Sequence, residues 1–218
     1  MRVIIAGADG ALGQAVLDRY RGAGDQVAAL SRRPVEGRAD EALIPAGDLA
    51  DERQADAAVG RAVSLLGGVD AYVHLIGAFA WERVEDGTVA SWRTMFEANV
   101  GTAVSCVRAL LPHMARGSIV FIGAQAAQRA AAGFGAYAAS KSGVARLTEA
   151  LAEETGAGIR VNAVLPLIID TPRNRADMPD ADPSRWTSPA AIADAIHFLT
   201  TDAARAINGA LVPVTHPA

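Results

Sequence analysis

Residues 2–13 read RVIIAGADGALG, and this stretch decides the fold. Residues 2–6 are a short β-branched run, Gly7, Gly10 and Gly13 follow at once, and from 12 to 23 apolar residues recur at amphipathic-helix spacing. The order is strand, glycine turn, helix. Missing side chains let the chain turn tightly and let a phosphate group approach the backbone at the positive end of the helix.

The alternation continues outward from there. Further strands are expected at about 26–30, 70–76, 118–123, 158–165 and 210–214, with helices at about 51–66, 89–114, 135–156 and 189–201. Strands that alternate with helices pair in parallel through right-handed crossovers. The expected fold class is therefore α/β, one Rossmann-like, doubly wound parallel sheet of about seven strands with helices on both faces. With 218 residues and no break in composition, a single domain over 1–218 is expected. Residues 171–189 stand apart, because Pro172, Pro179, Pro183 and Pro189 among many charges would interrupt regular helix. Ligands of open parallel sheets bind beyond the carboxyl ends of the strands, and this segment leaves such an end near Leu165, so it is read as a lid over a substrate.

Composition narrows the function. Hydrophobic residues make up 51% of the chain, enough to bury a large aliphatic core without metal or disulfide. Cys106 is the only cysteine, and His74, His113, His197 and His216 have no metal-ligand spacing, so no metal is expected and a reducing cytoplasm fits best. The first apolar run is too short for a signal peptide, and no segment has the length of a membrane span. A formal charge of −4 offers no broad basic surface for nucleic acid, which leaves a small molecule as the expected partner.

Two groups of residues carry chemistry. The glycine loop, with Gly7, Asp9, Gly10, Ala11, Leu12 and Gly13, is placed to hold a dinucleotide. An acid about twenty residues beyond would hold the ribose 2′-hydroxyl of NAD, but the second strand ends here in Ser31-Arg32-Arg33. A guanidinium grips a 2′-phosphate through parallel hydrogen bonds, so NADP(H) is preferred, with Arg32 the first contact and Arg33 the second. Asp9 would repel that phosphate, which keeps NAD(H) as the alternative.

The second group is Tyr137 and Lys141, four apart in an expected helix and hence on one face. A free phenol keeps its proton until about pH 10, and a nearby ammonium would move that value toward the range of a working acid or base. His74 and Cys106 are expected to be buried core residues and Trp92 to pack rather than bind, whereas Trp186, in the lid, either covers a ligand or anchors the lid.

GADGALG, Asn99 to Gly101, YAASK at 137–141 and NG before the last strand together resemble the short-chain dehydrogenase/reductase family, over nearly the whole chain. The resemblance implies that Tyr137 gives or takes the proton, that Lys141 binds the nicotinamide ribose and lowers the Tyr pKa, and that Asn99 anchors a water in a proton relay. It also implies an adenine contact at Asp48 and Leu49, a cofactor cleft that includes Gly77 and Pro166, and a nicotinamide-side segment with Ile169 and Thr171. Members usually pair through two long helices, so a homodimer or homotetramer is expected. One departure matters: the family's Ser, thirteen residues before the Tyr, is Ala124 here, and neither a methyl nor the adjacent Gln125 supplies a hydroxyl at that position.

A narrower resemblance, to dihydropteridine reductase, rests on VLPLIIDTPRNRADMPDADPSRWT at 164–187, GALG and GAQAA. That subgroup also carries Ala at the Ser position and reduces a quinonoid pterin, and Trp81 matches the place of a Trp that packs on the pterin ring. It differs in having an Asp where this chain has Ser31 and in lacking Asn99. The expected function is hydride transfer from NADPH to a small, conjugated or cyclic substrate, with Trp81, Ala124, Gln125 and Trp186 around it. The alternatives are a dihydropteridine-type reductase and a non-catalytic NAD(P)-sensing regulator, which would have no need of Tyr137 and Lys141 at this spacing.

Overall fold

The computed structural model describes residues 1–32 and 43–217. Its first strand, β1 (Arg2–Ala6), is fully buried from Val3 onward, because a parallel strand covered on both faces has no wet side and is written as an unbroken apolar run. After it come α1 (Ala11–Gly22), β2 (Gln26–Ser31), β3 (Leu43–Pro45), α2 (Glu52–Leu66) and β4 (Ala71–His74). The second half holds α3 (Val89–Phe96), α4 (Thr102–Leu110), β5 (Gly117–Ile122), α5 (Gly135–Glu154), β6 (Ile159–Pro166), α6 (Pro172–Asp177), α7 (Pro189–Thr200) and β7 (Leu211–Val214).

The seven strands form one parallel sheet in the order β3-β2-β1-β4-β5-β6-β7, with Ile4 opposite Ala28 on one side and Tyr72 on the other. The expected doubly wound sheet is what the chain forms. Val59, Val107, Leu110 and Val144 bring α2, α4 and α5 onto one face, and Val16, Leu17, Ile192 and Ile196 bring α1 and α7 onto the other. The order reverses direction between β1 and β4, and at such a switch the flanking loops part to leave a crevice above the strand ends.

Three local readings need correction. The strand expected at 70–76 stops at His74, and residues 75–88 form a loop that joins the crevice. β3 was not anticipated, since three residues ending in a proline carry no readable period. The helix expected at 89–114 is not uniform: residues Glu97–Gly101 form a π-turn between α3 and α4. In 171–189 regular helix is interrupted, as expected: α6 ends at Asp177, and Pro172 sits at its first position, where its missing N–H costs nothing and the Thr171 hydroxyl accepts from Asn174 N at 3.1 Å.

The glycine turn works by backbone against backbone. Gly7 has φ +86°, and a Cβ on Gly13 would lie 2.7 Å from the Ala8 backbone as well as on the Gly7 carbonyl. Neither neighbour is a side chain that can swing away. Gly13→Ala is expected to lower stability by about 1–3 kcal/mol, read as a shift in the urea midpoint, and to weaken dinucleotide binding at the same time. An unchanged midpoint would mean that the turn relaxes freely.

Candidate active site

Above the carboxyl ends of β1, β2 and β4 lies a cavity of about 530 Å³. Gly7, Asp9, Gly10, Arg32, Asp48, Leu49 and Gly77, named from the sequence, all line it, and so do Thr94, Glu97, Ala98 and Thr102, which were not. Those four lie along one side of the helical run that crosses the crevice, at spacings of three and four, but nothing in the sequence says that this side meets the cavity. Ala11, Leu12 and Gly13 open α1 beside the cavity, while Ser31 is buried at the end of β2 with its carbonyl accepting from Ala46 N at 2.8 Å. Arg33 lies outside the described residues. Asp48 is fixed from both sides: its N–H donates to the Gln54 side chain at 2.9 Å, and its carboxylate accepts from Ala50 N at 3.0 Å.

A dinucleotide suits this cradle. The glycine turn leaves no side chain between backbone and ligand, and the first turn of α1 directs unbonded N–H groups at it. Gly77, at the other end of the cavity, makes room for protein side chains instead: a Cβ there would meet Asn99 Oδ1 at 2.5 Å and Lys141 Nζ at 3.0 Å.

Those contacts lead to the residues expected to carry the chemistry. Asn99, in the π-turn, is 1% exposed; its Oδ1 accepts from Ala78 N at 3.1 Å, and its Nδ2 donates to Ala78 O and to Ser140 Oγ, each at 3.0 Å. It thus ties the loop after β4 to α5. Ser140 lies within YAASK, but its partner is 41 residues away, so no local pattern reports the bond. Lys141, one turn beyond Tyr137 on α5, is buried and donates to Ile122 O at 2.9 Å, and burial pulls its pKa down to about 8.

Tyr137 is packed among aromatic rings. Phe79 meets it edge-on with ring centres 4.9 Å apart, and Phe134 does so at 6.1 Å. The expectation that Lys141 lowers the phenol pKa is reversed here: burial alone acts on Tyr137 and pushes it up to about 12, while the ammonium is engaged by Ile122 O. The phenol is therefore held as a proton donor through the neutral range. Phe134 is a local neighbour, three residues before Tyr137 at the start of the same helix, whereas Phe79 escaped the sequence reading because only the fold brings its loop to α5.

Ala124 follows β5 and is 4% exposed, with extended backbone, and Gln125 opens a short 3-10 turn after it. Trp81 is 59% exposed and lies against Gly133, where Glu82 N donates to Gly133 O at 2.9 Å and ties the loop after β4 to the loop before α5. Pro166 ends β6, and Ile169 and Thr171 stand at the foot of the 171–189 segment. That segment is closed at its base, with Asp170 N donating to Thr187 O at 2.9 Å and Thr187 N to Ile168 O at 3.0 Å. Trp186 is 5% exposed, which is the anchoring one of its two readings rather than the covering one. His74 and Cys106 are buried as expected, and among the described residues no cluster of His, Cys, Asp or Glu could hold a metal. No helix among them is long and apolar enough to cross a membrane.

Known proteins share this arrangement. A family model described as enoyl-(acyl carrier protein) reductase matches residues 11–216. The chain is 33% identical to 2-(R)-hydroxypropyl-CoM dehydrogenase of Xanthobacter autotrophicus, over 95% of this chain and 94% of that protein. Among solved structures it resembles 3-ketoacyl-(acyl-carrier-protein) reductase of Brucella melitensis complexed with NADH, at 27% identity and a TM-score of 0.86 over 97% of this chain and 95% of that one. It also resembles a short chain dehydrogenase of Burkholderia cenocepacia in complex with NADP, at 28% identity and a TM-score of 0.86 over 98% and 95%. With the parallel sheet, the glycine cradle and the Tyr137–Lys141 helix already in place, the chain belongs to the short-chain dehydrogenase/reductase family and is an NAD(P)-dependent oxidoreductase.

Proposed function

We propose that the protein reduces a small, conjugated or cyclic substrate with NADP(H), Tyr137 delivering the proton. The cofactor supplies the hydride, and the chain supplies everything else. Lys141, packed beside Gly77, positions the nicotinamide ribose, Asn99 fixes the loop that borders it, and the Tyr137 phenol, kept neutral by its surroundings, donates to the substrate atom that gains charge.

The observation that carries this reading is the buried methyl of Ala124 where a carbonyl-polarising hydroxyl would stand. A substrate whose conjugation spreads the incoming charge has less need of that hydroxyl than a plain ketone. Assayed against quinonoid dihydropterin, quinones and simple ketones, the protein is expected to turn over the conjugated compounds and to be poor on the ketones. Faster reduction of ketones would overturn the reading. Within it, the dihydropteridine-type reductase is favoured by Trp81 standing beside the Tyr137 loop cluster, and quinonoid dihydropterin is then the best substrate of the panel.

The preference for NADP(H) rests on Arg32, which lines the cavity at the end of β2. A charge-assisted bond to a 2′-phosphate contributes about 1.5–3 kcal/mol, so Arg32→Ala should weaken NADPH binding about ten- to a hundredfold and NADH binding by less than about twofold. Equal losses in a titration with both would remove the argument. Arg33 is the second contact in this reading, and Asp9 and Glu97, on the same cavity wall, are what favour NAD(H) if Arg32 fails the test.

The 171–189 segment serves as a strap beside the substrate, held by Trp186 and hinged at its closed base, as part of a single domain over 1–218 in a cytoplasmic enzyme. Exposed apolar residues on the crossing helices, Trp92, Phe96 and Val104, support association into a homodimer or homotetramer through α3, α4 and α5.

A further inference from the structure

Beneath the cofactor cavity runs a buried chain of polar side chains that the proposed reaction does not use. The Tyr72 hydroxyl lies 2.7 Å from His74 Nδ1, His74 Nε2 lies 3.2 Å from Thr102 Oγ1, and Thr102 Oγ1 lies 2.9 Å from the carbonyl of Ala98. The direction of every bond follows from its last member. A carbonyl can only accept, so the single Thr102 proton goes to Ala98 O, His74 Nε2 must donate to Thr102, and His74 Nδ1 must accept from Tyr72. Burial, with the Lys141 charge adding to it, holds the His74 pKa down to about 3, so this neutral tautomer persists at any working pH.

The chain ends where the helix departs from its regular ladder. The Thr102 N–H reaches back five residues to Glu97 O, the π-type bond, and it is the Thr102 hydroxyl that meets Ala98 O instead. An extra residue in one turn rotates what lies within it. Asn99, inside that turn, is brought to face Ala78 and Ser140.

We propose that His74 and Thr102 are positioning residues, a hydrogen-bonded brace that holds the π-turn in shape and thereby aims Asn99 at the cleft. His74 is 2% exposed and fixed on β4, between β1 and β5, the most constrained part of the sheet. Thr102 is thus propped by an element that cannot move with the helix. Without the prop, its hydroxyl is free to leave Ala98 O, and the turn can revert toward the four-residue ladder, which would rotate Asn99 away from Ala78.

The test reads Asn99 directly, and only its kinetic arm rests on the functional reading above. In 15N-labelled full-length protein, the Asn99 side-chain NH2 signals, assigned by their loss in Asn99→Asp, report exchange with water. Thr102→Val keeps the shape and removes the hydroxyl; it is expected to speed that exchange at least about tenfold while the amides of Val3 to Ile5 keep their protection. Thr102→Ser should restore the rate to within about twofold, which a merely space-filling role would not do, and His74→Phe should behave like Thr102→Val. Turnover at saturating substrate is expected to fall about tenfold in the Val and Phe variants with KM changed less than about threefold, and to recover in the Ser variant. Unchanged Asn99 exchange in both Thr102→Val and His74→Phe overturns the brace. Faster exchange with full turnover upholds the brace and sinks the role given to Asn99 in the reaction.

Discussion

Tyr137→Phe is expected to lower turnover about a hundred- to ten-thousandfold, with dinucleotide affinity kept within about twofold. The substitution removes one oxygen from a ring held edge-on by Phe79 and Phe134, so the packing survives and the proton does not. The pH profile gives an independent check. With the phenol pushed up to about 12, it stays protonated across the neutral range and imposes no fall there. Lys141 behaves differently, because burial pulls its pKa down to about 8 and its charge is lost as pH rises through that value. Reduction should therefore be level below about pH 8 and decline above it, with the decline absent in Lys141→Met, whose residual rate is low throughout. Full activity of Tyr137→Phe on every substrate reduced by the parent protein would leave the non-catalytic nucleotide sensor as the better account.

The second large effect is a gain. Ala124→Ser places a hydroxyl just after β5, where the backbone is extended and the residue is 4% exposed, at the cost of one added oxygen. A donor aimed at a developing oxyanion is commonly worth a hundred- to a thousandfold in rate. Ketone reduction should rise about a hundredfold in this variant, while reduction of conjugated substrates changes little. If ketones stay inert and the variant is folded and binds the dinucleotide, Ala124 is not what restricts the substrate.

What the sequence disclosed and what it hid divide along a physical line. Gly7, Gly10 and Gly13 were legible because strand, turn and helix are local, and Tyr137 with Lys141 because a spacing of four means one face of one helix wherever that helix goes. The consequences of assembly were not legible. Ile122, whose carbonyl engages Lys141, lies on another element, and the shift of Tyr137 upward rather than downward follows from its burial, to which Phe79 contributes from a loop far away in the chain. The π-turn was hidden because one extra residue leaves apolar spacing nearly intact, and β3 because three residues are too few to show a period. Arg32 and Asp9 line the cavity from the two loops the sequence points to, while Glu97 reaches the same cavity from the π-turn, which only the fold lays across the crevice.

The strand order also has a kinetic side. β1 lies between β2, which follows it closely, and β4, whose Ala71 pairs with Val3. On a growing chain, β1 waits for nearly seventy further residues before its second edge is covered, and every pairing beyond it closes another long crossover. Assembly should accordingly be slow for a chain of this length, and the groove between β1 and β4 should be among the last features to mature, so added dinucleotide would hasten only the final refolding phase.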